Sequence, residues 1–220
     1  MGKRVLVTSS ETFMGPPIVD LFAAEGAEVI ADTGDLIDPE APAELIERSG
    51  YLDAVVANLD LGAYLASTVE IEDDRWLAGF DAMVHPLMRL VRATAPAMID
   101  RRAGAIVAMT SSSPLRRMSP QAISYVTARA AQNAFVRSAG HDLARHGVRL
   151  NAIAQNYVAN ETYYPPELLA NERFQARLSR EVPAGRVADP SETAELALFL
   201  AGDTASFIYG QIISQDGGWS

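Results

Sequence analysis

The 220-residue chain contains no cysteine and only three histidines. Without thiols it can form neither a disulfide framework nor a thiolate metal site. His85, His141 and His146 lie too far apart, or at the wrong spacing, for a histidine metal motif. No segment approaches the roughly 20 consecutive apolar residues that would cross a bilayer. Basic residues are also scarce: 18 Lys and Arg stand against 28 Asp and Glu, a net charge of −10. No basic stripe is available to neutralise phosphates, which argues against nucleic acid as a partner. The beginning, Met1-Gly2-Lys3-Arg4-Val5, runs directly into an apolar strand and lacks the apolar stretch of a secretory signal, so a cytoplasmic location is expected.

What is present is a strong alternation. Lys3–Thr8, Glu28–Asp32, Ala54–Asn58, Ala105–Thr110, Arg149–Ala154 and Ile212–Gln215 are short, nearly continuous runs of Val, Ile, Leu and Ala. Strands buried on both faces of a parallel sheet have this composition. Between them, Pro16–Glu25, Ala41–Arg48, Asp73–Asp100, Pro120–His146, Pro166–Glu181 and Ser191–Leu200 carry helical periodicity. Helix-start chemistry marks several of these, as in Asp189-Pro190-Ser191-Glu192. The pattern predicts a single α/β domain over residues 1–220, with a doubly wound parallel sheet and right-handed crossovers. Tyr157–Pro166 reads as a loop inserted after a strand.

Many short matches in one order give the chain a family likeness. They include Asn151-Ala152-Ile153-Ala154, Gly185-Arg186, Pro190–Glu192, Phe199-Leu200-Ala201, Gly210 and Asp216-Gly217-Gly218. In these residues the sequence resembles the short-chain dehydrogenases/reductases, whose Rossmann-like fold binds a nicotinamide dinucleotide. The departures fall on that ligand. The family's Thr-Gly-x-x-x-Gly-x-Gly loop, whose glycines let backbone amides approach a pyrophosphate, reads here Thr8-Ser9-Ser10-Glu11-Thr12-Phe13-Met14-Gly15. Asn-Asn-Ala-Gly is replaced by Ala57-Asn58-Leu59-Asp60, and Pro-Gly by Gln155-Asn156. Asp32 and Asp35, where an acid could bind ribose, are assigned to strand-end and turn roles once the glycine loop is lost.

These departures resemble the halohydrin dehalogenases, a branch of the same superfamily that uses no cofactor. Their Thr-x-x-x-x-Phe/Tyr-x-Gly signature matches Thr8, Phe13 and Gly15, and their Tyr-x-x-x-Arg matches Tyr125 and Arg129. The resemblance implies reversible conversion of vicinal haloalcohols to epoxides, with ring opening by halide, azide, cyanide or nitrite in reverse. Tyr125 is the expected base. Arg129, one helical turn away, is expected to favour the phenolate and lower the tyrosine pKa from its reference of ~10.

Ser111, Ser112 and Ser113 are consecutive, so the serine that holds the substrate oxygen is ambiguous. A spacing of thirteen before the tyrosine selects Ser112, whereas alignment on Pro114 selects Ser111; Ser112 is preferred. The resemblance places a halide pocket at Phe13, Gln155, Asn156, Tyr157, Val158 and Tyr164, with amides near Asn156–Val158 as donors. Tyr163 is assigned to hydrophobic anchoring of its loop, and His85 to packing. Trp219 is expected to pack near a subunit contact and to reach a neighbour's site. A homotetramer is implied by the resemblance, with no cofactor, metal, membrane or nucleic acid.

Overall fold

Six apolar runs pair side by side, all parallel, in the order β2-β1-β3-β4-β5-β6. They are β1 Arg4–Val7, β2 Glu28–Ala31, β3 Ala54–Ala57, β4 Gly104–Ser111, β5 Val148–Gln155 and β6 Ile212–Gln215. The computed structural model describes residues 2–62, 64–116, 121–161 and 163–220. Order reverses between β1 and β3, and the carboxyl ends of the strands at such a switch point form the crevice where α/β proteins bind ligands.

Side-chain alternation divides the core into two layers. Leu6, Val55, Ile106 and Leu150 pack on one face with Leu45 of α2 (Ala41–Ser49), Leu87 and Leu90 of α4 (His85–Asp100), and Val136 and Leu143 of α5 (Ile123–Ala144). Val5, Val7, Val56, Val107 and Ile153 pack on the other with Ile18 and Phe22 of α1 (Gly15–Ala24) and with Ala197 and Leu200 of α8 (Pro190–Ala201). A third, smaller cluster of Tyr157, Phe174, Leu178, Val182 and Trp219 lies under α7 (Glu172–Glu181) and the chain terminus. It forms a wall beside the carboxyl ends of β4 and β5. Among the described residues, no helix is long and apolar enough to cross a membrane.

Two predicted helices are broken. The run from Asp73 consists of α3 (Asp73–Gly79), a π-helical turn over Phe80–Val84, and α4. Pro86 has no N–H to donate to the carbonyl four residues earlier. The ladder shifts just before it, and His85 N–H donates instead to Phe80 O, five residues back. The run from Pro166 splits into α6 (Pro166–Leu169) and α7, because Asn171 Oδ1 caps α7 by accepting from Arg173 N and Phe174 N. The predicted start of α5 at Pro120 lies outside the described residues, and the helix begins at Ile123.

Candidate active site

The segment after β1 keeps the shape of a glycine loop without its glycines. Ser9 and Phe13 stand where the family has Gly, and both have positive φ, 45° and 54°. Glycine is the residue that enters this region without a Cβ penalty. Asn58 holds the loop by donating from Nδ2 to Ser9 O and Thr12 O, each at 2.9 Å, while Thr8 Oγ1 donates to Asn58 O at 3.1 Å. The remaining glycine, Gly15, opens α1 so close to the loop that a methyl there would collide with the carbonyls of Ser9 and Ser10. Asp32, at the end of β2, accepts from Arg48 at 2.7 Å and from Gly34 N at 3.2 Å.

A cavity of about 260 Å³ opens at the carboxyl ends of β4 and β5. Ser111, Ser113 and Tyr125 line it together with Phe13, Gln155, Asn156, Tyr157, Tyr163, Tyr164, Arg177, Glu181 and Trp219. Ser112 does not line it. Ser112 is fully buried, with its Oγ unpaired, whereas Ser111 Oγ lies 2.8 Å from Ser113 Oγ and accepts from Ser113 N at 3.1 Å. The preference for Ser112 is thereby corrected. Ser111 closes β4 opposite Gln155 of β5, and alternation along the strand turns its neighbour away from the cavity.

Arg129 lies beneath the cavity with none of its surface exposed. Its NH1 is within hydrogen-bond distance of Leu59 O (3.0 Å), Met109 O (3.2 Å) and Gln132 Oε1 (3.0 Å), and its NH2 donates to Asp60 Oδ1 at 3.0 Å. The guanidinium carbon is 5.1 Å from the centroid of the Tyr125 ring and 5.9 Å from that of Phe13. Burial works against this charge, but Tyr125, Tyr163 and Asp60 outweigh it and hold the guanidinium firmly protonated.

Tyr163, assigned above to loop anchoring, belongs to the site. Its hydroxyl reaches Asp60 Oδ1 at 2.6 Å and Leu61 O at 2.7 Å, and its ring contacts those of Tyr125 and Phe13. Burial and its neighbours Tyr125 and Asp60 push its pKa up, which makes it a donor. Neither this residue nor Asp60 had a local signal: their partnership spans about a hundred positions, and only the replacement of the usual Gly at Asp60 marked the region.

Of the expected halide-pocket residues, Phe13, Gln155, Asn156, Tyr157 and Tyr164 meet on the cavity wall. Val158 does not, since it is buried in the core layer and bridged to Ala188. Two of the three expected amide donors are engaged: Asn156 N–H donates to Gln215 O and Tyr157 N–H to Asn156 Oδ1. Asn156 Oδ1 also accepts from Tyr164 OH at 2.5 Å. Burial, followed by the effect of Tyr157, pushes the Tyr164 pKa up. Trp219 lines this chain's own cavity, its ring 6.1 Å from that of Tyr157 and 5.0 Å from the Arg116 guanidinium. His85 is partly exposed and paired with Asp81 at 3.0 Å. Among the described residues no group of His, Asp and Glu could hold a metal ion.

A larger cavity of about 340 Å³ lies at the opposite end of the sheet, around Lys3, Arg102, Arg149 and Asp203. Its charges serve the fold. Lys3 pairs with Asp203, and Arg149 donates to the last carbonyls of α8.

Comparison with known proteins agrees with this architecture. A family model described as enoyl-(acyl carrier protein) reductase matches residues 39–220. The chain belongs to the short-chain dehydrogenase/reductase superfamily. Galactitol 2-dehydrogenase (L-tagatose-forming) of Cereibacter sphaeroides is 34% identical over 223 residues, spanning 99% of this chain and 85% of that protein. A solved structure described as a dehalogenation enzyme superposes with a TM-score of 0.91 at 32% identity, covering 99% of this chain and 98% of the other. A halohydrin dehalogenase bound to ethyl (2S)-oxiran-2-ylacetate also superposes with a TM-score of 0.91, over 98% of this chain and 96% of that one. At 23% identity, that second likeness carries the fold alone.

Proposed function

We propose that this protein is a halohydrin dehalogenase, converting vicinal haloalcohols to epoxides, halide and a proton without a nicotinamide cofactor. The observation that carries the reading is the cavity itself: Ser111 and Tyr125 share it with the ring of Phe13, and a buried Arg129 lies beneath. In the reaction, Tyr125 takes the proton of the substrate hydroxyl, whose oxygen is held by the Ser111 hydroxyl. The oxygen electron pair attacks the neighbouring carbon from behind and closes the three-membered ring. The carbon–halogen bond breaks and the halide leaves with its electron pair. Arg129 places a permanent positive charge beside the phenol that exchanges the proton, and Asp60 and Tyr163 hold that charge in place. Asn156, Tyr157 and Tyr164 supply a polar, aromatic wall for the departing anion. In reverse, Tyr125 donates its proton as a small anion opens the epoxide.

A dinucleotide does not fit these residues. Phe13 puts a ring on the path that the family's glycine leaves open, and Asp32 is already engaged by Arg48 and Gly34. Arg129 is wholly buried and bound to carbonyls and Asp60, so it cannot serve a ribose. The 32% identity to the dehalogenation enzyme supports the same reading. The second reading, a nicotinamide-dependent oxidoreductase, draws on the 34% identity to galactitol 2-dehydrogenase.

One assay separates them. The protein is incubated with 1,3-dichloro-2-propanol or a bromohydrin, without nicotinamide, and halide release and acid production are followed. Release that Tyr125→Phe abolishes is the expected result. Absence of halide across several haloalcohols, with tight binding of NADPH, would overturn the proposal.

A further inference from the structure

Gln132 lies one helical turn beyond Arg129 on α5 and has no exposed surface. Its Oε1 accepts from Arg129 NH1 at 3.0 Å, and its Nε2 donates to Met83 O at 2.9 Å. Met83 belongs to the π-helical turn that the missing N–H of Pro86 imposes on the neighbouring helix. One carboxamide therefore bridges the guanidinium to a distant irregular turn.

We propose that Gln132 is a positioning residue that fixes the orientation of Arg129 toward Tyr125 by tying it to the π-helical turn.

The chemistry of the position selects the residue type. The end facing Arg129 must accept a hydrogen bond, and the end facing a backbone carbonyl must donate one. A carboxamide does both without charge. A carboxylate there would repel Met83 O and would compete with Asp60 for the guanidinium. An apolar side chain would leave a buried guanidinium N–H and the carbonyl each short of a partner. π-Turns occur often at functional sites, and this one serves as a fixed wall against which α5 aligns its arginine. The remaining charged or titratable groups around the guanidinium are Tyr125 on the same helix, Asp60 after β3 and Tyr163 after β5. The half-exposed Asp81–His85 pair stands on the π-turn side.

The inference rests on the proposed role of Arg129 beside Tyr125, but its test has a readout independent of dehalogenation. Gln132→Met keeps the length and removes both bonds; Gln132→Glu keeps the shape and changes donor to acceptor. Tyrosinate absorbance is followed through an alkaline titration for wild type and both variants, and the Tyr125 component is assigned by subtracting Tyr125→Phe. In both variants that component should shift to higher pH, more in Gln132→Glu. The kcat for halide release should fall roughly 10- to 100-fold with KM within about twofold, as expected for a misoriented catalytic group. The alkaline shift should also be visible in the pH–rate profile. An unchanged Tyr125 titration in variants that fold, whatever their activity, would remove Gln132 from this role. If Gln132→Met does not fold, Gln132→Glu decides by the same titration. Failure of the wild-type protein to release halide would sink the dehalogenase reading and leave the titration to judge Gln132.

Discussion

At the scale of single residues, position along a strand decides between neighbours of the same type. Ser111 and Ser112 carry the same hydroxyl, but one lines the cavity and the other is sealed in the core with no partner. Ser111→Ala should lower kcat/KM for haloalcohols by roughly 100-fold or more, the scale of losing one oriented donor to a reacting oxygen. Ser112→Ala should retain turnover within a few-fold, since it removes a hydroxyl that bonds nothing. Steady-state halide release from the two purified variants checks this, and the reverse order of losses would return the role to Ser112. Ser9 offers a second contrast. It holds φ at 45°, and its hydroxyl has no partner among the described residues. The left-handed region costs a residue with a Cβ about 1–2 kcal/mol, while glycine loses about 0.5–1 kcal/mol more chain entropy on folding. Ser9→Gly should therefore stabilise the fold by about 0.5–1 kcal/mol, raising Tm by roughly 1–4 °C. A lower Tm in calorimetry would show that the serine relieves its own strain.

At the scale of elements, α8 carries a complete start signal. Asp189 caps the helix, Glu192 returns a bond to the Asp189 N–H at 2.8 Å, and Arg186 grips both Glu192 oxygens at 2.7 Å. The Arg186 bonds, then the Asp189 N–H, depress the Glu192 pKa from its usual 4.5 to about 2. A carboxyl whose folded pKa is depressed stabilises the fold above its unfolded pKa and loses that contribution as pH falls through the folded one. The loss thus falls between about pH 4.5 and 2. Glu192→Gln should flatten the fall in Tm across that window while lowering Tm near neutrality. Parallel acid slopes in thermal melts would show that the pair contributes nothing. This capping box was visible in the sequence because its parts lie within four residues. The six strands were visible too, since burial on both faces leaves an unbroken apolar run. The π-turn was not, because periodicity passes smoothly through Phe80–Val84 and only Pro86 hints at a slipped ladder. Tyr163 and Asp60 escaped for a similar reason: their bond joins loops after β3 and β5, and neither loop alone shows a reason for it.

At the scale of the whole molecule, a net charge of −10 sets the electrostatic problem that a halide-releasing enzyme must solve. Salt screens the overall repulsion beyond a Debye length of about 8 Å at physiological ionic strength. Retention of an anion must then come from groups in direct contact with it, on the cavity wall. Asn156 is central to that wall: its Oδ1 accepts from Tyr157 N–H and Tyr164 OH. Because both bonds use a side-chain oxygen, Asn156→Asp can keep them while adding a negative charge to the wall. An anion that binds only the folded state stabilises it by mass action, about 2.7 kcal/mol at 100 times its Kd. For a chain of this size that corresponds to a Tm rise of roughly 5–11 °C. Bromide should therefore raise Tm along a saturable curve, while NADPH leaves it unchanged. In Asn156→Asp the saturable part should vanish and only the shallow, non-saturating effect of salt should remain. A bromide response identical in the two proteins would move the anion site away from Asn156, and a saturable rise with NADPH would favour the oxidoreductase reading.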